Sequence, residues 1–128
     1  MTRHRTLSGG CHCGVVRFEV DATPDTPIWS CNCSMCDMTG YLHLIVDSAC
    51  FRLTSGQARL NEYRFNSGTA RHLFCSVCGI KSFYVPRSHP DGFSVNVRCL
   101  DGQPFAGVEP KSFDGQQWEQ NAGVFGER

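Results

Sequence analysis

Cys11-His12-Cys13-Gly14-Val15-Val16-Arg17-Phe18-Glu19-Val20 carries two signals at once. The first half is a metal knuckle. Two thiols one residue apart can reach the same ion, and Gly14 supplies the backbone freedom the chain needs to turn back beside them. The second half is a strand. Val16, Phe18 and Val20 alternate with Arg17 and Glu19, the period of two that buries one face of a sheet. A knuckle mounted on a strand predicts a small β protein stapled by metal.

Working outward, the same logic recurs. Cys75-Ser76-Val77-Cys78-Gly79 is a second knuckle of the zinc-ribbon kind, and Cys31-Asn32-Cys33-Ser34-Met35-Cys36 places three thiols in six residues. The chain has nine cysteines, an odd number, and seven of them sit in these clusters. That pattern favours metal binding over a disulfide framework. Each of the two knuckles ends in glycine, so Cys11 and Cys13 pair with Cys75 and Cys78 as a four-sulfur structural zinc site. The remaining cluster then owns Cys31, Cys33 and Cys36. Its fourth position is either filled by Cys50, Cys99 or a histidine, or left open to water or substrate.

Between the clusters the chain is punctuated by glycine and proline. Thr6 to Val20 reads as strand, knuckle, strand. Pro24 and Pro27 mark a loop that leads into the three-cysteine motif, which is itself expected on a loop. Further strands are predicted at Leu42–Val46, Phe51–Leu53, Leu60–Phe65, Ile80–Val85 and, with strict alternation, Phe93–Val97. Asn66-Ser67-Gly68 is expected to turn, and Cys50 to be a small buried hydrophobe. Beyond Pro104 the pattern weakens to a short helix around Gln116–Asn121, with Trp118 docked on the body. Many short strands predict an all-β sandwich or open barrel, residues 1–128 forming one zinc-binding domain.

Composition narrows the partners. Twelve basic and twelve acidic residues cancel, so the strongly basic footprint of a nucleic-acid binder is missing, and no nucleic-acid partner is expected. No apolar run approaches the ~18 residues of a membrane span. The start, from Met1 to Thr6, lacks the apolar stretch of a secretory signal, and the expected location is cytoplasmic.

The chemistry of three thiolates follows from charge. Three negative ligands on a dication leave the unit at −1, a poorer Lewis acid than zinc held by neutral imidazoles, so activating water is not its natural task. An incoming thiol suits it better. A soft ion binds sulfur readily and lowers a thiol pKa from its usual ~8.5 toward neutrality. The expected partner is a small thiol or a thiol adduct at the open position.

Together these three ordered motifs, with Ser8-Gly9-Gly10 before the first and Phe74 before the last, resemble the glutathione-dependent formaldehyde-activating enzyme family. Phe83 to Asp101 looks most like its centromere protein V branch. The resemblance implies a zinc-binding β fold similar to that of a small zinc-binding Rab chaperone, with two zinc ions. It assigns Cys11, Cys13, Cys75 and Cys78 to a structural ion, and Cys31, Cys33 and Cys36 to a catalytic-type ion. The implied activity is that of a carbon–sulfur lyase, adding glutathione to formaldehyde to give S-hydroxymethylglutathione. One position departs from the family pattern. Asp37 follows Cys36 where a basic residue is usual, which removes a favourable neighbour for an anionic thiol such as glutathione.

Other candidates are weaker. Arg71, Lys81, Arg87 and Arg98 could meet carboxylates but are expected to be solvated. His12, His43, His72 and His89 are expected to be structural or solvent-facing, His43 being the best placed for acid–base work. Thiols and formaldehyde combine unaided, so the site could equally carry or hydrolyse the adduct. The alternative to an enzyme is a non-catalytic, zinc-scaffolded interaction module of the centromere protein V type. An iron–sulfur cluster fits poorly, because CxCxxC lacks the usual four-cysteine spacing.

Overall fold

The computed structural model describes residues 5–64, 68 and 70–114. Its elements are β1 (Arg5–Gly10), β2 (Arg17–Ala22), β3 (Ile28–Cys31), α1 (Ser34–Thr39), β4 (Leu42–Asp47), β5 (Phe51–Ser55), β6 (Leu60–Tyr63), β7 (His72–Cys75), β8 (Phe83–Tyr84), β9 (Gly92–Asn96) and β10 (Lys111–Phe113). They make a three-stranded sheet β1-β2-β5, a five-stranded sheet β10-β3-β4-β9-β8 and the hairpin β6-β7, with no closed barrel. The all-β expectation holds.

β2 keeps the alternation its sequence shows, with Val16, Phe18 and Val20 essentially without solvent contact. That buried face meets the larger sheet through aromatic rings. Phe51 of β5 lies 5.4 Å from Phe18, 4.7 Å from Phe83 of β8 and 4.4 Å from Phe93 of β9, centroid to centroid. Each buried ring contributes roughly 1.5–3 kcal/mol, so this cluster is the main bond between the two larger sheets.

The strands differ from expectation where tertiary packing decides. β9 lies where a strand is predicted but does not alternate in burial, because Ser94, Val95 and Asn96 are all buried and both faces of the strand are covered. The run Ile80–Val85 yields only Phe83–Tyr84 as a strand, with Val85 instead bridging to Arg71. β6 ends at Tyr63, which is half exposed. Phe65, the turn residues Asn66 and Ser67, and the helix proposed around Trp118 lie outside the described residues. β10 forms where the sequence pattern predicts no strand. It joins β3 in parallel, Phe113 opposite Cys31, and so borders the three-cysteine motif.

The two knuckles are built alike. Gly14 and Gly79 both take positive φ, 84° and 78°, as a chain doubling back beside its own sulfur requires. Gly10, one residue before Cys11, meets a tighter limit, since a Cβ there would sit 2.1 Å from the Val16 carbonyl oxygen. That carbonyl accepts the Cys11 N–H and closes the knuckle. Gly10→Ala is expected to cost about 1–3 kcal/mol, read as a lower denaturant midpoint. An unchanged midpoint would mean the knuckle has slack to move.

Candidate metal centres and the polar cluster between the sheets

Cys11 and Cys13 leave the end of β1, while Cys75 and Cys78 leave β7, and the fold brings all four sulfurs within 4.8 Å of one another. The Cys11 to Cys13 sulfur separation is 3.6 Å and that of Cys13 to Cys75 is 3.7 Å. A tetrahedral ion with ~2.3 Å bonds to sulfur would hold its ligands about 3.8 Å apart, so the spacing fits such an ion. Backbone N–H groups of Val16 and Val77 point at the sulfurs of Cys11 and Cys75, both at 3.3 Å, donors that favour thiolate over thiol.

The second cluster, Cys31, Cys33 and Cys36, also places its sulfurs within 4.8 Å of one another. Here the expectation of a loop is corrected. Cys31 ends β3, but Cys33 is the N-cap of α1 and Cys36 lies inside that helix. The Cys33 sulfur accepts the Cys36 N–H at 3.4 Å, doing the task usually given to a serine or aspartate oxygen. Cysteine is not a capping signal in sequence, which is why the helix escaped notice. Gly40 ends it in the left-handed conformation, φ 66°, its N–H bonded to the carbonyls of Cys36 and Asp37.

Among the described residues no fourth protein donor joins these three sulfurs. Cys50 is half-buried and lines a surface cleft with Asp47 and His89, away from both clusters. Cys99 has its thiol pushed up to about 11 by burial, with Cys11 and Cys78 as its charged neighbours. Neither closes the site. Hydrogen bonds from the thiols of Cys31 and Cys36 hold Cys33 far below its usual range, and the same hydrogen bonds, with burial, push Cys36 far above it and raise Cys31. Three thiolates this close repel one another, and a dication relieves that repulsion.

Beside this cluster, between β4, β8 and β9, lies a buried polar group. Tyr41 donates to the Ser94 carbonyl at 2.6 Å, and His43 Nδ1 lies 2.9 Å from Ser94 Oγ and 3.3 Å from the Tyr84 hydroxyl. The hydroxyls of Ser94 and Tyr84 thus share Nδ1, and the imidazole tautomer sets which of the three donates. Nε2 is buried and has no partner in the protein. His72 stacks on Tyr84 with centroids 5.0 Å apart. Lys81 Nζ donates to His72 Nδ1 at 2.6 Å and lies 3.9 Å above the Tyr84 ring.

The expectation that Lys81 is a solvated cation is therefore wrong, since it is 9% exposed. Burial pushes it down to about 8, against the pull of the Cys36 and Cys33 thiolates. Arg71 and Arg98 are exposed, one held by Glu62 and the other by the Gly40 carbonyl. Arg87 is half-buried, and Asp37 is exposed on α1. Of the histidines, His12 is exposed, whereas His43, His72 and His89 are buried. Sequence marked His43 but gave no sign of the company it keeps. The signal that could have found Lys81 is its place in the apolar run that follows a knuckle.

His43 carries a pH consequence. Burial, then the charge of Lys81, pushes its imidazole down from 6.5 to about 4. As pH falls from 6.5 to 4 the unfolded chain binds a proton that the folded chain refuses, so stability drops, by up to about 3 kcal/mol from this group. His43→Gln is expected to flatten the slope of unfolding free energy against pH in that window. Acid loss of metal affects both proteins alike, so equal slopes would remove His43 from the account.

An all-β scaffold with one four-sulfur cluster and one three-sulfur cluster, each able to hold a metal ion, defines a class of cysteine-rich β proteins. A family model described as "Glutathione-dependent formaldehyde-activating enzyme" matches residues 6–121, and the chain belongs to that family. It is also similar to a Rhodobacter sphaeroides protein of known crystal structure. The two are 33% identical with a TM-score of 0.75, over 83% of this chain and 99% of that one. No helix among the described residues is long and apolar enough to cross a membrane.

Proposed function

We propose that this chain is a two-zinc enzyme that makes or breaks the carbon–sulfur bond between a small thiol and an aldehyde, at Cys31, Cys33 and Cys36. Cys11, Cys13, Cys75 and Cys78 hold the structural ion. The observation that carries the proposal is the contrast between the clusters, one supplied with four sulfurs and the other with three and no fourth protein donor among the described residues. A soft dication bound to the three would lower the pKa of an incoming thiol and present it as a nucleophile near neutral pH.

Glutathione and formaldehyde are the pair that family membership supports. The protein's own part is to orient the thiol beside α1. Asp37, on the exposed face of α1, tunes which thiols approach and disfavours anionic ones. A purely scaffolding role explains less, because a cluster that only braced the fold would gain from a fourth protein ligand.

Zinc-edge absorption of the loaded protein, with and without glutathione, tests this. The average sulfur count per zinc should rise from 3.5 toward 4 as the thiol enters, since a four-sulfur and a three-sulfur site average to about 3.5. Four sulfurs in both samples would close the site and end the proposal.

A further inference from the structure

Lys81 stands out as a buried cation without a carboxylate. Among the described residues its one polar side-chain partner is His72 Nδ1, at 2.6 Å, and its remaining surroundings are the rings of Tyr84 and Tyr41, at 3.9 and 5.2 Å. Tyr41 joins it to the three-cysteine site, since the Tyr41 N–H donates to the Cys36 carbonyl at 3.3 Å. A lysine buried this deeply is normally paired. Here the counter-charge would come from the three-sulfur site, at −1 with a dication bound. His43 Nε2, in the same cluster, is buried and has no hydrogen-bond partner among the described residues. Beside the three-cysteine site there stand, therefore, one ammonium donor and one ring nitrogen whose hydrogen-bonding capacity the protein does not use.

We propose that Lys81 is the acid–base residue of the three-cysteine site, holding the oxygen of the electrophile and exchanging a proton with it. The inference rests on the thiol–aldehyde chemistry proposed above. In the forward direction the thiol, having lost its proton to solvent on binding, attacks the aldehyde carbon through sulfur. The C–S bond forms, the C=O π pair moves to oxygen, and the Lys81 ammonium gives that oxygen a proton, leaving a hydroxymethyl thioether and a neutral amine. Lys81 then regains a proton from water. In reverse, the neutral amine takes the hydroxyl proton as the C–S bond breaks, and the pair returns to sulfur. Its pKa, pushed down to about 8 by burial, lets the group serve in both directions near neutral pH. His72 is a positioning residue, since its Nδ1 fixes one of the three ammonium hydrogens and so aims the other two.

The test uses the zinc-loaded full chain and NMR exchange between glutathione and its hydroxymethyl adduct, measured above the spontaneous rate. Lys81→Met, which keeps length and removes the proton, is expected to lose about 100-fold in rate while binding two zinc ions and glutathione as wild type does. Lys81→Arg keeps the charge but cannot give up its proton, and it should be as slow. A rate within threefold of wild type for Lys81→Met, or restored by Lys81→Arg, overturns the role of Lys81 and leaves the thiol chemistry standing. A wild type that neither accelerates exchange nor takes up glutathione sulfur at zinc overturns both.

A second readout does not depend on turnover. Lys81 and Lys111 are the two lysines of the chain, so protein carrying ε-13C lysine shows two resonances. The Lys81 signal should move when glutathione and formaldehyde are added together, and stay with glutathione alone. A Lys81 signal that ignores the mixture overturns the proposal, whatever the rates.

Discussion

Replacing Cys75 with serine is expected to leave a chain that does not reach its fold at neutral pH. Cys75 is 1% exposed, at the end of β7, and its sulfur lies 3.7 Å from that of Cys13 in the knuckle between β1 and β2. Among the described residues the hairpin β6-β7 pairs with the larger sheets only through the Arg71 to Val85 bridge. A two-stranded hairpin is marginal by itself, and beyond the packing of Leu60 and Leu73 on the core and of His72 on Tyr84 its attachment rests on the four sulfurs and the ion they would hold. Zinc at such a site supplies roughly 10–16 kcal/mol of apparent folding free energy, against a typical total of about 5–15 kcal/mol for a whole domain. Serine offers a hard oxygen that stays protonated at neutral pH, so three ligands cannot do the work of four. Far-ultraviolet circular dichroism and metal content should both collapse, and a strong chelator should do the same to the wild type. A Cys75→Ser protein that unfolds at the wild-type midpoint with two zinc ions would refute the structural assignment.

The opposite result is expected for Cys33→Ala. Cys33 is only part-buried and lies outside the apolar core, at the start of α1. The substitution removes an N-cap, which costs about 1 kcal/mol, and one ligand of the three-sulfur site. The protein should therefore stay folded, with metal falling from two ions per chain to one. Turnover should drop to the spontaneous rate of the thiol–aldehyde reaction. Retained turnover with one zinc would move the chemistry elsewhere. A loss of stability as large as that of Cys75→Ser would mean that the second cluster is scaffolding too.

Much of this was readable before any coordinates. The division of seven cysteines into four and three follows from short spacings and from the glycines after two of the clusters, because ligands close in sequence must also be close in space. β2 was readable because one of its faces is buried and the other is not. β9 was readable as a strand too, predicted at Phe93–Val97 and found at Gly92–Asn96, but the burial of both its faces was not. α1 hid behind a cysteine serving as N-cap, and β10 is three residues long and exists only because β3 offers it an edge.

The sequence by itself determined the all-β class, the two thiolate clusters and the preference of the second for soft ligands, because these rest on residue type and local spacing. Tertiary structure alone decided what stands beside the three sulfurs. Lys81, His43, His72 and Tyr84 come from β4, from β7 and β8, and from the segment between them, and nothing in their spacing marks them as a group. They become one only when the sheet folds them together away from water. Burial there changes a surface lysine into a proton carrier by raising the free energy of its charge.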